Sequence, residues 1–191
     1  MTELQWEVKG IETCLKTIPF TVEEVSLSFK NNQKSAVYHR LRSPDWANII
    51  AVTDQNELIV INQSRVGSMS NVWEFPGGAV DAGEDPEVAA SRELEEETGF
   101  VSASKLTKLC AINPNPAIMT NLIHFYTATG CRLAEKRERF PDANEAIQVA
   151  TIPIENLDSW IQSNNFDSAL ALLGIHLASA AGHLPKVGQK C

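Results

Sequence analysis

Runs of apolar and β-branched residues, some of them alternating with polar positions, predict that much of the chain forms β-strands. Asn31-Asn32-Gln33 and Asp54-Gln55-Asn56 lie between neighbouring runs and are typical of turns, the second of a hairpin. The N-terminal part of the chain is therefore expected to be an antiparallel unit. The predicted strands are residues 20–29, 35–41, 48–53, 57–63, 106–112, 122–129 and 146–152.

Apolar residues recur with helical spacing in two C-terminal segments, 154–162 and 167–181. A third helix is predicted over 87–98. Asp85-Pro86 before it is typical of an N-cap followed by the first helical position, and Gly99 after it is typical of a left-handed stop. Strands interspersed with helices predict an α/β protein with a mixed β-sheet and helices on its faces.

Three glutamates of the predicted helix, Glu93, Glu96 and Glu97, fall within one arc of about 100°. Ala89 and Ala90 lie on the same side, where we expect small side chains to leave room for a bound group. Carboxylates this close repel one another, so a divalent cation that neutralises them would account for the arrangement. Oxygen ligands of this kind favour Mg²⁺, with Mn²⁺ as a possible substitute.

An acidic, solvated helix face is the alternative interpretation of such a cluster. The Gly77-Gly78 pair before the helix, and Glu84 and Arg92 at fixed spacing from it, favour the metal site over that alternative.

Length, composition and charge narrow the class of protein. A chain of 191 residues suits one domain, or one domain with a small addition, and 43% hydrophobic residues suffice for an ordinary core. No apolar run of about 18 residues and no secretory signal are present, so we expect no membrane partner. Scattered cysteines favour free thiols and a cytoplasmic location. A net charge of −8 argues against a nucleic-acid partner, but it permits a small polyanionic substrate.

Residues 78–100 match every defined position of the Nudix box, G-x5-E-x7-R-E-U-x-E-E-x-G-U, where U is a bulky apolar residue. Residues 73–78, Trp-Glu-Phe-Pro-Gly-Gly, resemble the strand and loop that lead into the box. The chain therefore resembles the Nudix hydrolases. This resemblance implies a Nudix α/β/α sandwich, with a Nudix domain over 45–191 and a small N-terminal β unit over 1–44.

The resemblance also implies roles for residues of the box. Glu93 and Glu97 match metal-ligating glutamates, and Glu96 matches a residue that ligates or supports further ions and acts in catalysis. Arg92 matches an arginine that orients these glutamates by ion pairing. The Gly77-Gly78 loop is expected at the substrate, and Gly78 is expected to offer a backbone carbonyl to the metal.

Three features outside the box resemble ADP-ribose and nucleotide-sugar pyrophosphatases. Gln63-Ser64-Arg65 resembles their Q-x-R strand end, and Arg65 is expected to bind a phosphate, with a plain surface arginine as the alternative. Pro116 lies 16 positions after Phe100, the spacing of a substrate-binding proline, although Pro114 nearby leaves the register open. Residues 144–149 and 166–169 resemble the last loop, strand and helix of that subgroup.

Glu145 matches a loop glutamate that acts as catalytic base or assists the metal and water in this subgroup. Asp142 in the same loop, or a box glutamate, is the alternative base. Trp46, together with Trp6 and Tyr38, is a candidate for stacking on the nucleotide base, although a tryptophan among strands is more often a core residue.

The subgroup commonly dimerises through N-terminal strands, so we expect a homodimer. The expected reaction is Mg²⁺-dependent hydrolysis of the pyrophosphate bond of ADP-ribose or a related nucleoside diphosphate sugar. The alternatives are a nucleoside triphosphate pyrophosphatase and a non-catalytic, nucleotide-sensing Nudix module. The sequence does not select the base or the sugar.

Overall fold

The structure is a computed structural model that describes residues 5–31, 34–141, 146–163 and 165–188. The chain divides into two compact units. The smaller comprises Met1–Asp45 and Asn113–Leu122, and the larger comprises Trp46–Ile112 and Ile123–Cys191. No helix in the described residues has the length and apolar character needed to cross a membrane.

The smaller unit is built on a three-stranded antiparallel sheet in the order β1-β2-β3. Side chains of β2 alternate between buried and half-buried positions, which is the two-residue period of a strand. From the other segment of this unit, the chain around Ile118 and Thr120 hydrogen-bonds to both backbone groups of Leu41 in β3. The strands are β1 Trp6–Lys16, β2 Thr21–Phe29 and β3 Ser35–Arg42.

The larger unit contains an eight-stranded mixed sheet. Its main path runs β11-β5-β4-β10-β8, while β6 pairs with β5, β7 with β4, and β9 with β10. The β4–β10 pair is parallel and the other pairs are antiparallel. The strands are β4 Trp46–Thr53, β5 Glu57–Arg65, β6 Ser70–Glu74, β7 Gly77–Ala79, β8 Phe100–Val101, β9 Thr107–Ile112, β10 Ile123–Leu133 and β11 Ile147–Pro153.

Helices cover both faces of this sheet. The helices are α1 Pro86–Thr98, α2 Leu157–Gln162 and α3 Ala169–Ala180, with a 3₁₀ turn at Ile154–Asn156 before α2. Alternate residues of β4 point to opposite faces: Ile49 packs in the core layer that contains Leu94 of α1, and Ile50 packs in the layer that contains Ile175 of α3. The predicted α/β class, the α/β/α sandwich and the separate N-terminal antiparallel sheet are confirmed.

The predicted strands and helices all occur, with ends shifted by a few residues. The strand β6 overlaps the lead-in strand that residues 73–78 resemble, whereas β1, β7 and β8 were not predicted. The strands β7 and β8 are only three and two residues long, and β1 is exposed at every position but one, so no buried apolar run marks it. The predicted helix over 154–162 is divided into a 3₁₀ turn and a short α-helix.

Candidate active site

The helix α1 begins and ends at the residues that its sequence predicts. The side chain of Asp85 accepts a hydrogen bond of 2.8 Å from the backbone N–H of Glu87, and Pro86 occupies the first turn. Gly99 has φ 75° and donates its N–H to the carbonyl of Glu95, which closes the helix with a left-handed residue. These two caps fix the register in which α1 presents its acidic side chains.

Arg92 connects the acidic residues of the box. Its Nε and Nη2 donate to the two oxygens of Glu84 at 3.0 Å each, which is a bidentate pair. Its Nη1 donates to Glu93 at 2.7 Å and to Glu96 at 2.8 Å, and Nη2 also donates to the carbonyl of Ala79. The predicted contact of Arg92 with the box glutamates is therefore present in the structure.

The Gly77-Gly78 loop lies directly against two of the glutamates. A Cβ on Gly78 would lie 2.5 Å from a carboxylate oxygen of Glu93, so only glycine permits this approach. The N–H of Gly77 donates to Glu97 at 2.8 Å, and Glu97 is 5% exposed. The loop and the helix thus enclose carboxylates that are otherwise costly to bury.

Hydrogen bonding shifts the pKa of two residues in this cluster, Glu84 and Arg92. The hydrogen bonds from Arg92 are the main reason that the pKa of Glu84 lies below its ordinary value, and the N–H of Asp81 acts in the same direction, while burial opposes both. The same contacts raise the pKa of Arg92, with Glu84 as the largest contributor. One guanidinium among four glutamates leaves the cluster with a negative excess.

The donor chemistry of the cluster fits a hard divalent cation, because the glutamates offer only oxygen. In the described residues, however, Glu93, Glu96 and Glu97 do not bring one oxygen each to within 4.8 Å of one another. Arg92 holds two of these carboxylates and Gly77 holds the third. Binding of a cation would therefore require glutamate side chains to turn toward it.

One expectation about this helix is wrong. Ala89 and Ala90 leave no room for a bound group, because both are fully buried in the core layer between α1 and the sheet. They pack there with Ala47 and Ile49 of β4. The small side chains bring the helix close to the sheet, and the glutamates lie at the edge of this contact.

Besides Gly77 and Gly78, two predicted substrate residues lie in the same unit as the box. Trp46 is half-buried at the start of β4, where it is paired with Ala79 of β7 and packs against the core. Arg65 ends β5, and its Nε donates to Glu74 at 2.7 Å. The side chain of Arg65 is 45% exposed, and a phosphate would have to compete with Glu74 for its guanidinium.

Three other predicted substrate residues belong to the smaller unit. Pro116, Trp6 and Tyr38 line one cavity of about 660 Å³ in that unit. Trp6 also packs edge-on against Phe29, at a ring separation of 6.4 Å. Arg42 is bound to the buried carboxylate of Glu23. Glu145 and its alternative Asp142 lie outside the described residues.

Residues 137 and 138 hydrogen-bond to the C-terminal end of α1. This contact was not predicted from the sequence. Arg137 donates to the carbonyl of Glu96, and the N–H of Glu138 donates to the side chain of Glu95 at 3.0 Å. The charged run at 136–139 is the only sequence signal, and such runs are usually solvated.

The family model of the NUDIX domain matches residues 43–170. This match covers well over half of the chain and includes the whole network around Arg92. The chain belongs to the Nudix hydrolase family. Nudix hydrolases generally use a divalent metal, in agreement with the oxygen-only donor set of the box.

This Nudix protein matches several known proteins over most of its length. It is 32% identical to the ADP-ribose pyrophosphatase of Bacillus subtilis (strain 168), over 78% of this chain and 77% of that protein. It is 27% identical to the methanol dehydrogenase activator of Bacillus methanolicus, over 88% of this chain and 90% of that protein. A crystal structure of an ADP compounds hydrolase superposes with a TM-score of 0.80 at 26% identity, covering 96% of this chain and all of that one.

Proposed function

We propose that this Nudix hydrolase cleaves the pyrophosphate bond of ADP-ribose or a related nucleoside diphosphate sugar in a Mg²⁺-dependent reaction. The products are a nucleoside monophosphate and a sugar phosphate. The observation that carries the proposal is the set of box glutamates gathered by Arg92 beside the Gly77-Gly78 loop. The relatives named for ADP-ribose and ADP compounds support this substrate class.

Glu93, Glu96 and Glu97 are the proposed Mg²⁺ ligands, and the backbone carbonyl of Gly78 is a further ligand. When bound there, Mg²⁺ would neutralise negative charge on the pyrophosphate and lower the pKa of a water molecule. Arg92 hydrogen-bonds to Glu93 and Glu96 and so restricts the positions of their carboxylates. The proposed catalytic residues are thus Glu96 and Arg92 on α1, together with Glu145.

Glu145 is proposed to accept the proton of the attacking water. It lies outside the described residues, so its support is the resemblance of the loop that contains it. Asp142 and a box glutamate remain the alternative bases. A carboxylate that does not ligate the metal suits this role, because metal coordination lowers the basicity of a ligand.

The proposed substrate-binding residues are Arg65, Trp46, Pro116, Gly77 and Gly78. Trp46 is adjacent to the loop through its pairing with Ala79 in β7, a position that suits contact with a substrate bound at the box. Arg65 offers a planar fork to a phosphate, in competition with Glu74.

The proposed domain division is an N-terminal β unit over 1–44 and a Nudix domain over 45–191. The proposed homodimer draws support from strand β1. It exposes Val8, Ile11 and Leu15, each about half accessible, which is a large apolar surface for an edge strand. A cytoplasmic location and the lack of a nucleic-acid partner remain predictions. Sedimentation equilibrium would contradict the dimer if it returned the monomer mass of 21.0 kDa at micromolar concentration.

The reaction is tested by incubating the purified protein and Mg²⁺ with ADP-ribose, ADP-glucose, GDP-mannose, UDP-glucose, dinucleotides and nucleoside triphosphates. Release of a monophosphate from ADP-ribose or a sugar nucleotide is expected. Cleavage of triphosphates alone would replace the proposal with the pyrophosphatase alternative. Tight binding without turnover would favour a regulatory role, of the kind that the name of the Bacillus methanolicus relative suggests for that protein.

Glu97→Gln tests the ligand assignment. Glutamine keeps an oxygen for the Gly77 N–H but loses the charge, so kcat should fall about a thousandfold if several kcal/mol of cation-based stabilisation are lost. Glu87→Gln, the same change on the same helix but outside the Arg92 network, is the matched control. Near-normal turnover by a folded Glu97→Gln protein would show that Glu97 is not a ligand.

A further inference from the structure

Three residues of the smaller unit bring three different metal-ligand types to one place. Cys14 of β1, Glu24 of β2 and His39 of β3 each place one ligand atom within 4.8 Å of the other two. Cys14 and His39 are exposed and Glu24 is half-buried, so solvent reaches the cluster. This cluster shares no residue with the Nudix box.

The strand register explains why these side chains converge. Glu24 and His39 are directly opposite each other in the β2–β3 pair, so both point to the same face of the sheet. The β1–β2 pairing shifts register between Thr13 and Leu15, and Cys14 is the extra residue of that irregularity. A bulge re-aims a side chain, and here the sulfur is directed toward Glu24.

A bound cation would reduce the electrostatic repulsion between carboxylates near the cluster. Glu12 of β1 is directly opposite Glu24, and like charges in such a pair destabilise a sheet. The Nε2 of His39 lies 3.7 Å from a carboxylate oxygen of Glu24, which is too long for a hydrogen bond. A nitrogen and an oxygen bound to tetrahedral Zn²⁺ lie about 3.3–3.5 Å apart, so this pair would have to close by only a few tenths of an ångström to bind zinc.

We propose that Cys14, Glu24 and His39 form a Zn²⁺ site in which water completes a tetrahedron. A thiolate and a carboxylate balance the charge of the ion, and the neutral imidazole binds through Nε2. The thiolate separates this site from the oxygen ligands of the box, because Mg²⁺ does not favour sulfur. Bound zinc ties the exposed strand β1 to β2 and β3. The proposal is independent of the hydrolytic reaction proposed above.

Cobalt reports directly on the sulfur ligand. The protein is first freed of metal with a chelator and reduced. Excess Mg²⁺ is then added to fill sites that have only oxygen ligands, and the protein is titrated with Co²⁺. The wild type should develop a near-ultraviolet thiolate-to-cobalt absorption band that stoichiometric Zn²⁺ abolishes. Cys14→Ser should lack the band, and Cys110→Ser, a change at a half-buried cysteine of β9, should keep it.

Zinc affinity, measured by competition with a chromophoric chelator, tests the other two ligands. Loss of groups that merely support a ligand weakens binding about 10–100-fold, so His39→Gln and Glu24→Gln should each weaken it about 100-fold or more. His176→Gln, at an exposed histidine of α3, should leave the affinity unchanged.

Hydrogen exchange is the structural readout. Zinc should slow exchange of the amides of residues 11–16 in the wild type and not in Cys14→Ser. No cobalt band in the wild type, a band that survives in Cys14→Ser, or unchanged zinc affinity in His39→Gln or Glu24→Gln would each overturn the site. Circular dichroism and Mg²⁺-dependent turnover of Cys14→Ser confirm that the variant is folded.

Discussion

Arg92 contacts three glutamates and a backbone carbonyl at once, and its side chain is 17% exposed. Only a planar fork with five donors reaches all these acceptors, because the ammonium group of lysine presents a single point charge. At the residue scale, the shape of this side chain orients the acidic residues of the box.

Arg92→Lys should therefore keep the charge and lose the geometry. We expect the free energy of unfolding to fall by about 1–3 kcal/mol, the value of charge-assisted hydrogen bonds, and kcat to fall as the glutamates reorient. Urea denaturation and steady-state kinetics measure the two effects. Arg132→Lys is the control, because Arg132 pairs with Asp54 at the surface, where such pairs contribute little. Equal losses in the two variants would contradict the role given to Arg92.

At the scale of elements, α1 is positioned by its ends and by its smallest side chains. Asp85 caps the first turn, Gly99 closes the last turn, and Ala89 and Ala90 allow close packing on the sheet. The loop before the helix then meets Glu93 because Gly78 has no side chain to obstruct it, and it meets Glu97 through the backbone N–H of Gly77.

Asp85→Ala should lower the free energy of unfolding by about 1 kcal/mol, because the N–H of Glu87 loses its acceptor. Asp85→Asn restores an acceptor and should recover most of that loss. Chemical denaturation of the two variants measures this difference. A loss that asparagine fails to recover would mean that Asp85 acts through its charge and not as a cap.

At the scale of the whole molecule, each of the two units contains a largely buried carboxylate held by arginine. Arg42, followed by Arg40, keeps the pKa of Glu23 below its ordinary value in the smaller unit, and Arg92 does so for Glu84 in the larger. A carboxyl whose pKa is lowered by folding stabilises the folded state at pH values above its unfolded pKa, and this contribution is lost as pH falls through the folded value.

Acid should therefore weaken the protein below the ordinary glutamate pKa of 4.5, and Glu84→Gln should be less sensitive to it. Near pH 7 we expect Glu84→Gln to be less stable than the wild type by about 1–3 kcal/mol, and the difference should shrink as pH falls below 4.5. Urea denaturation across this range measures it. A difference that is the same at neutral and strongly acidic pH would show that the charge of Glu84 does not contribute.

The parts of the site that could be predicted from the sequence depend on residues close together in the chain. The cap at Asp85 and the stop at Gly99 are properties of one short segment, and the structure places both as predicted. The spacing of Glu93, Glu96 and Glu97 belongs to the same segment, and their role as metal ligands stays a prediction. The side of the helix that packs against the sheet was predicted wrongly. Ala89 and Ala90 were assigned to the ligand side, because helical spacing gives relative angles but not which partner occupies them.

The sequence alone determined the family, the α/β class and the helix that presents the acidic residues, because these depend on motifs and periodicities within short stretches of chain. Tertiary structure alone decided that Gly77 hydrogen-bonds to Glu97, that Arg65 pairs with Glu74, and that Cys14 meets His39. The first contact depends on how α1 packs beside the loop. The other two depend on strand register and on a bulge, because a shift of one residue would turn a strand side chain to the opposite face of its sheet.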